Sequence, residues 1–233
     1  MLTVRFIHER DRKGSELEFR RAIQVNPSYA QAHHWFALAL IGMNRPIEAI
    51  TEAEFAQRLD PRSLAIKAAT GMAYFFSGQY DHTIEECNKA LAIDDSFIPA
   101  NKVKRWAYTA MNDTAAAHES FRKEMSYSGG SLSDPGWRVI EVQLTGPNED
   151  RQGALERLNQ AVTDPIVSRN HFAFAYEVAL GYNALNETEK ALDWLEKAEA
   201  ARSHGINFLE VDPRLANLRN EPRFIRLVKL LNS

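Results

Sequence analysis

A repeat of 34 residues constrains the fold of this chain more than any other feature of its sequence. Similar segments that begin with alanine recur at this spacing, at 22–27, 56–61 and 90–95. Apolar stretches of helical period lie between these segments, and no stretch shows the alternation of β-branched residues that is typical of a strand. A chain that repeats one short unit buries its apolar faces between neighbouring units. The sequence therefore predicts an all-α repeat fold.

Candidate turn residues share this register. Asn44, Gly78 and Asn112 are also 34 residues apart, and asparagine and glycine are the residues that tolerate the left-handed conformation that ends a helix. Pro27 and Pro61 are expected to end the second helix of their units, because proline disfavours helix in the residue before it. Each unit is thus predicted to be two helices joined by a tight turn.

This layout resembles the tetratricopeptide repeat (TPR), in which small residues at set positions let the two helices of a hairpin approach closely. In the unit that starts at Leu64, the family's Gly, Tyr, Gly, Tyr and Ala positions hold Gly71, Tyr74, Gly78, Tyr80 and Ala90. A later unit holds Tyr182, Asn186, Ala191, Leu195 and Ala198 at the Tyr, Gly, Ala, large apolar and Ala positions. The resemblance implies a right-handed α-α superhelix, the TPR solenoid, of about six helix hairpins.

The register divides the chain into a TPR array over 1–205 and a capping segment over 206–233. The expected units of the array are 1–29, 30–63, 64–97, 98–131, 132–165 and 166–205. The leading helix of the first unit would begin before Met1, so the chain is expected to start inside a repeat. The period lengthens in the later units, which predicts a long loop over 126–135 and a long turn over 145–150.

The capping segment ends in an amphipathic stretch. Its apolar residues follow the i, i+3, i+4, i+7 spacing of one helix face, at Phe224, Leu227, Val228 and Leu231. We expect this helix to cover the exposed apolar face of the last repeat, as the end of a solenoid requires.

Composition excludes several classes of function. The formal net charge of −3 argues against broad binding to nucleic acid or to anionic membranes, and the longest apolar run, 35–43, is too short for a membrane span. Cys87 is the only cysteine and cannot form an internal disulfide. The adjacent His33 and His34 point about 100° apart on a helix and cannot chelate one metal well. We expect a cytoplasmic protein with no catalytic residues, no cofactor and no metal.

The resemblance also implies a binding surface, because TPR arrays act mainly as scaffolds whose first helices line a concave groove. The positions carried over from the family are Gln31, His34, Leu38, Ile41, Ala68, Met72, Phe75, Phe76, Lys102, Trp106 and Thr109 in the second to fourth units, and Tyr176, Leu180 and Asn183 in the sixth. Such an apolar and aromatic groove suits an amphipathic helix or an apolar peptide. The family's Lys and Asn clamp for a C-terminal carboxylate is not supported, because His34 and Leu38 stand at its positions.

Two segments resemble TPR arrays that follow bacterial winged-helix regulators, nucleotide cyclases and protein kinases: 32–40 with 59–63, and 211–231. The function predicted is non-catalytic binding of a protein or peptide within a bacterial signalling or regulatory system. Two alternatives remain open, a ligand-sensing domain of a larger regulator and a self-association module. The aromatic residues of the groove also have an alternative role in packing.

Overall fold

The computed structural model describes residues 11–145 and 150–232. Within this part of the chain every regular element is a helix, which confirms the predicted all-α repeat fold. The chain forms two compact units, Met1–Met111 and Asn112–Ser233. None of the described helices is long and apolar enough to cross a membrane. The leading helix expected before 11 lies outside the described residues.

The first unit contains six described helices. They are α1 (Arg12–Val25), α2 (Ala30–Gly42), α3 (Pro46–Leu59), α4 (Leu64–Phe76), α5 (Tyr80–Leu91) and α6 (Ile98–Ala110). Helices α2 and α3 pack together as one hairpin, and α4 and α5 as the next. Helix α4 also contacts both α2 and α6, so the first helices of successive hairpins are neighbours.

The tight turns form where the sequence predicts them. Asn44 and Gly78 have φ of 58° and 79°, and Asn112 and Asn186 adopt the same left-handed conformation in the second unit. In each hairpin of the first unit, the backbone N–H after the turn residue donates to a carbonyl five residues earlier, over 2.9 Å. This bond satisfies a carbonyl that the end of the helix leaves without an intrahelical donor.

Small residues occupy the closest contacts between the helices of a hairpin. Ala49 and Ala56 on α3 are fully buried. A Cβ atom on Gly71 of α4 would lie 3.0 Å from Cys87 Sγ of α5. Burial also raises the pKa of the Cys87 thiol to about 12, so this cysteine is a packing residue that stays protonated at neutral pH.

The second unit contains α7 (Thr114–Tyr127), α8 (Pro135–Val142), α9 (Arg151–Thr163), α10 (Pro165–Ser168), α11 (His171–Ala184), α12 (Thr188–Ala200) and α13 (Pro222–Leu231). Two 3₁₀ helices, His204–Phe208 and Pro213–Leu218, connect α12 to α13. A non-helical segment separates α7 from α8, within the range of the expected long loop. Residues 146–149 of the expected long turn lie outside the described residues.

The final helix packs as its sequence pattern predicts. Phe224, Leu227 and Leu231 are buried in the core of the second unit, and Val228 packs against that core while partly exposed. The apolar stripe of α13 is therefore a packing surface. On the flank of α13, the Arg223 guanidinium binds three carboxylates of α12, over 2.7 to 2.9 Å. These carboxylates belong to Glu189, Asp193 and Glu196.

Candidate protein-binding face

The positions carried over from the TPR resemblance lie in the first unit on three neighbouring helices, α2, α4 and α6. We call them the candidate face, defined as Gln31, His34, Leu38, Ile41, Ala68, Met72, Phe75, Phe76, Lys102, Trp106 and Thr109. The structure brings several of them together. The ring centroid of Trp106 lies 5.6 Å from that of Phe75 and 6.4 Å from that of Phe76.

Members of the candidate face differ in how much surface they offer. Leu38, Met72, Lys102 and Thr109 are half-buried, whereas Phe75 is fully buried. His34 and Phe76 are also buried, and Trp106 is only 8% exposed. Leu38 and Met72 are therefore the accessible apolar members of the candidate face.

Trp35 adds an exposed aromatic ring that the carried-over positions miss. Its side chain is 37% exposed, and its ring stacks on the His34 imidazole at a centroid distance of 4.9 Å. Gln31, His34, Trp35 and Leu38 follow the i, i+3, i+4, i+7 spacing of one helix face, and this spacing is the signal that identifies Trp35 from sequence. Tryptophan is the residue type most enriched in binding hot spots, so Trp35 is a further candidate contact residue.

The imidazole of His34 is neutral at pH 7. Burial lowers the pKa of His34 to about 4, because the charged form would be desolvated. The Gln31 amide nitrogen lies 3.1 Å from His34 Nδ1 and, as a donor, requires an unprotonated nitrogen there. His34 therefore contributes a flat, neutral aromatic ring to the candidate face and no charge.

The neighbouring His33 belongs to a different contact. Its Nδ1 lies 2.6 Å from a Glu52 carboxylate oxygen of α3, and its Nε2 lies 3.0 Å from the Pro27 carbonyl oxygen. The two adjacent histidines thus bind different partners, as their 100° separation predicts. Among residues 11–145 and 150–232, no group of three His, Cys, Asp or Glu side chains could hold a metal ion.

Lys102 is the only cationic member of the candidate face. Its Nζ lies 5.3 Å from the centroid of the Trp106 ring, within the range of a cation–π interaction. Phe75 and Phe76 pack against the same indole ring. An ammonium group thus stands at the edge of an aromatic cluster.

In the second unit, the protein's own C-terminal segment covers the corresponding positions of α11. Tyr176 is 3% exposed, and its hydroxyl donates to a buried Asp212 carboxylate over 2.8 Å. Burial raises the pKa of Tyr176 well above its ordinary value. The Asn183 amide donates to the Arg214 carbonyl over 2.7 Å, and Leu180 is buried. These α11 side chains therefore offer no open surface to a partner.

No family model matches the sequence, and no curated protein matches it. Solved structures do resemble it. A tetratricopeptide repeat protein from Parabacteroides merdae is 13% identical, with 98% of this chain and 88% of that chain covered and a TM-score of 0.57. PilF from Pseudomonas aeruginosa is 15% identical, with 88% and 90% covered and a TM-score of 0.56.

A chain of the Cut9–Hcn1 hetero-tetramer of the APC/C is 15% identical to this one. The match covers 100% of this chain and 48% of that chain, with a TM-score of 0.60. Sequence identities this low carry information on the fold alone.

Proposed function

We propose that this chain, which has the TPR fold, is a non-catalytic scaffold that binds a peptide segment of another protein on the candidate face of its first unit. The observation that carries the proposal is that α2 carries the exposed Trp35 ring and the half-buried Leu38, and that the neighbouring α4 carries the half-buried Met72. A related fold forms part of a protein assembly in the Cut9–Hcn1 hetero-tetramer, and this supports protein interaction as the general role.

The physical case rests on rigidity as well as on composition. Trp35 is held by its stack on His34, and His34 is held in turn by Gln31. A side chain that is ordered before binding loses little conformational entropy when a partner arrives. Apolar side chains on an amphipathic helix or an extended segment could pack on Trp35, Leu38 and Met72.

The second unit supplies no equivalent surface on α11. Tyr176 and Asn183 bind residues of the C-terminal segment. We therefore place recognition on the first unit. The wider setting we propose is a bacterial signalling or regulatory system in the cytoplasm, on the resemblance of 32–40 with 59–63 and of 211–231 to arrays in such proteins.

The proposal is tested by selecting binders from a random library of about 16-residue peptides with the purified full-length chain. We expect Trp35→Ala to weaken the selected peptides roughly tenfold or more, which corresponds to about 1.4 kcal/mol. Thermal stability should change little, because the ring is already partly in solvent. Fluorescence polarisation with labelled peptides measures the affinities.

Ile47→Ala is the matched control, since Ile47 is 65% exposed on α3 and outside the candidate face. It should leave both affinity and stability unchanged. The proposal fails when the library yields no binder above the bare support, or when Trp35→Ala binds the selected peptides as tightly as the parent chain does.

A further inference from the structure

The candidate face carries charge of one sign only. Its eleven residues include no Asp or Glu, and the His34 imidazole is neutral because it is buried, with the Gln31 amide nitrogen 3.1 Å from its Nδ1. Lys102 is therefore the only charged member. A partner that packs on this face brings its own groups close to one unbalanced positive charge.

Lys102 has no carboxylate partner among residues 11–145 and 150–232. Three lysines of the described chain, Lys89, Lys123 and Lys190, do contact glutamates three or four residues away, over 2.7 to 3.0 Å. One turn away from Lys102 stand Ile98, Pro99, Arg105 and Trp106. Helix α6 thus holds no acid within the reach of an i, i+3 or i, i+4 pair.

The surroundings of Lys102 would strengthen a pair with an incoming acid. Its ammonium group lies over the Trp106 indole, whose own surface is mostly buried. A partner segment seated on the candidate face would displace more water from this site. Opposite charges attract more strongly where less water screens them, so the Coulomb attraction of a carboxylate placed here exceeds that of a pair on an open helix surface.

From this juxtaposition we infer that the bound segment is acidic as well as apolar, with an Asp or Glu side chain that pairs with Lys102 while apolar side chains pack on Leu38 and Met72. The inference rests on the proposed function and adds the chemistry of the partner. Leu38 lies on α2, Met72 on α4 and Lys102 on α6, and α4 contacts both other helices. The acid should therefore lie to one side of the apolar residues in the partner's sequence.

The test uses the same peptide library, displayed with its C-terminus fused so that no free terminal carboxylate is present. We expect the selected peptides to be enriched in Asp or Glu on one side of an apolar cluster. Lys102→Met should weaken them fivefold or more, and changing the peptide's acid to its amide should weaken binding to the parent chain by a similar factor. Combining the two changes should add little further loss, because both remove the same pair.

Lys104→Met is the matched control. Lys104 is half-buried on the same helix, and its Nζ lies 5.7 Å from the Tyr108 ring centroid, so the variant also removes a cation beside an aromatic ring. Its affinity should stay within twofold of the parent value. Two results would overturn the inference. The selected peptides could show no enrichment in Asp or Glu, or Lys102→Met and Lys104→Met could weaken peptide affinity equally.

The two proposals fail in different ways. Peptides that depend on Trp35 but not on Lys102 would leave the scaffold function standing and remove the acidic partner. Synthetic peptides that bind only with a free C-terminus, and lose binding when that end is amidated, would show that Lys102 pairs with a terminal carboxylate. That result would also contradict pairing with an Asp or Glu side chain. An absence of any selected binder would remove the scaffold function itself.

Discussion

Two glycines of the first unit meet different physical demands. Gly71 lies at a helix contact, where an added Cβ would approach Cys87 Sγ to 3.0 Å and the Thr83 carbonyl oxygen to 3.3 Å. Gly78 has open space around it but a φ of 79°. The first position therefore needs a small residue, and the second needs a residue that tolerates the left-handed conformation.

This difference predicts opposite tolerances at the two positions. Gly71→Ala should lower the free energy of unfolding by about 1–3 kcal/mol, because the methyl group overpacks against backbone and sulfur. Gly78→Asn should change it by less than about 0.5 kcal/mol, since asparagine holds the same conformation at Asn44 and Asn112. Urea unfolding of both variants measures the two values. Equal losses at both positions would contradict the assignment of separate roles.

His34 makes stability depend on pH. Burial lowers its pKa to about 4 in the folded chain, against 6.5 for an ordinary histidine. Below pH 6.5 the unfolded chain binds a proton that the folded chain does not, so stability falls as the pH drops from about 6.5 to 4. A shift of this size corresponds to about 3 kcal/mol.

We expect His34→Gln to remove this part of the pH dependence. The parent chain and the variant should have similar pH profiles above pH 7, and the parent chain should lose about 3 kcal/mol more between pH 6.5 and 4. The carboxylates of Glu16, Glu48 and Glu196, whose pKa values neighbouring arginines lower, are present in both proteins, so the difference between the two profiles isolates His34. Chemical unfolding between pH 4 and pH 7 measures the stability of both proteins. Parallel profiles of stability against pH would show that burial does not lower the pKa of His34.

At the scale of the elements, helix α13 has two apolar surfaces of different kinds. Phe224 is buried in the core of the second unit, whereas the adjacent Ile225 is 41% exposed. Phe224→Ala should destabilise the second unit by about 3–5 kcal/mol, as expected for a buried aromatic side chain. Ile225→Ala should change stability by less than about 0.5 kcal/mol. Thermal unfolding compares the stability of the two variants. Similar losses of stability would mean that α13 does not cap the unit through the apolar face that contains Phe224.

The sequence predicts elements well wherever they follow the repeat. The turns at Asn44 and Gly78 are predicted because the same left-handed conformation recurs at the same repeat position. The buried stripe of α13 lies outside the repeat and is predicted by its own i, i+3, i+4, i+7 spacing. The 3₁₀ helices that cover Tyr176 do not follow the repeat. Spacing on α11 predicts which residues share a face, but it holds no information on which later segment folds onto that face.

The members of the candidate face differ in burial, which the repeat does not determine. Helical spacing places Trp106 and Met72 on equivalent positions of neighbouring helices, yet Trp106 is buried against Phe75 while Met72 is half-buried. Burial depends on the size of the side chain and on the neighbours it meets, which spacing alone does not contain. For that reason Trp35, outside the carried-over positions, offers more aromatic surface than Trp106 does.

At the scale of the whole molecule, the two units contrast in what their first helices present. The first unit leaves Trp35, Leu38 and Met72 at least partly open, whereas the C-terminal segment of the second unit covers Tyr176. We therefore propose that only the first unit recognises a partner on its first helices. The four tryptophans report on this assignment, because Trp35 and Trp106 lie in the first unit and the other two, Trp137 and Trp194, lie in the second.

The most direct test follows the four indole N–H signals of the ¹⁵N-labelled chain by NMR while a library-selected peptide is added. We expect the Trp35 signal to move most and the Trp106 signal to move with it, because both rings lie on the helices of the candidate face. The Trp137 and Trp194 signals should stay in place through saturation. Movement of Trp137 or Trp194 with Trp35 unaffected would contradict the assignment of binding to the first unit.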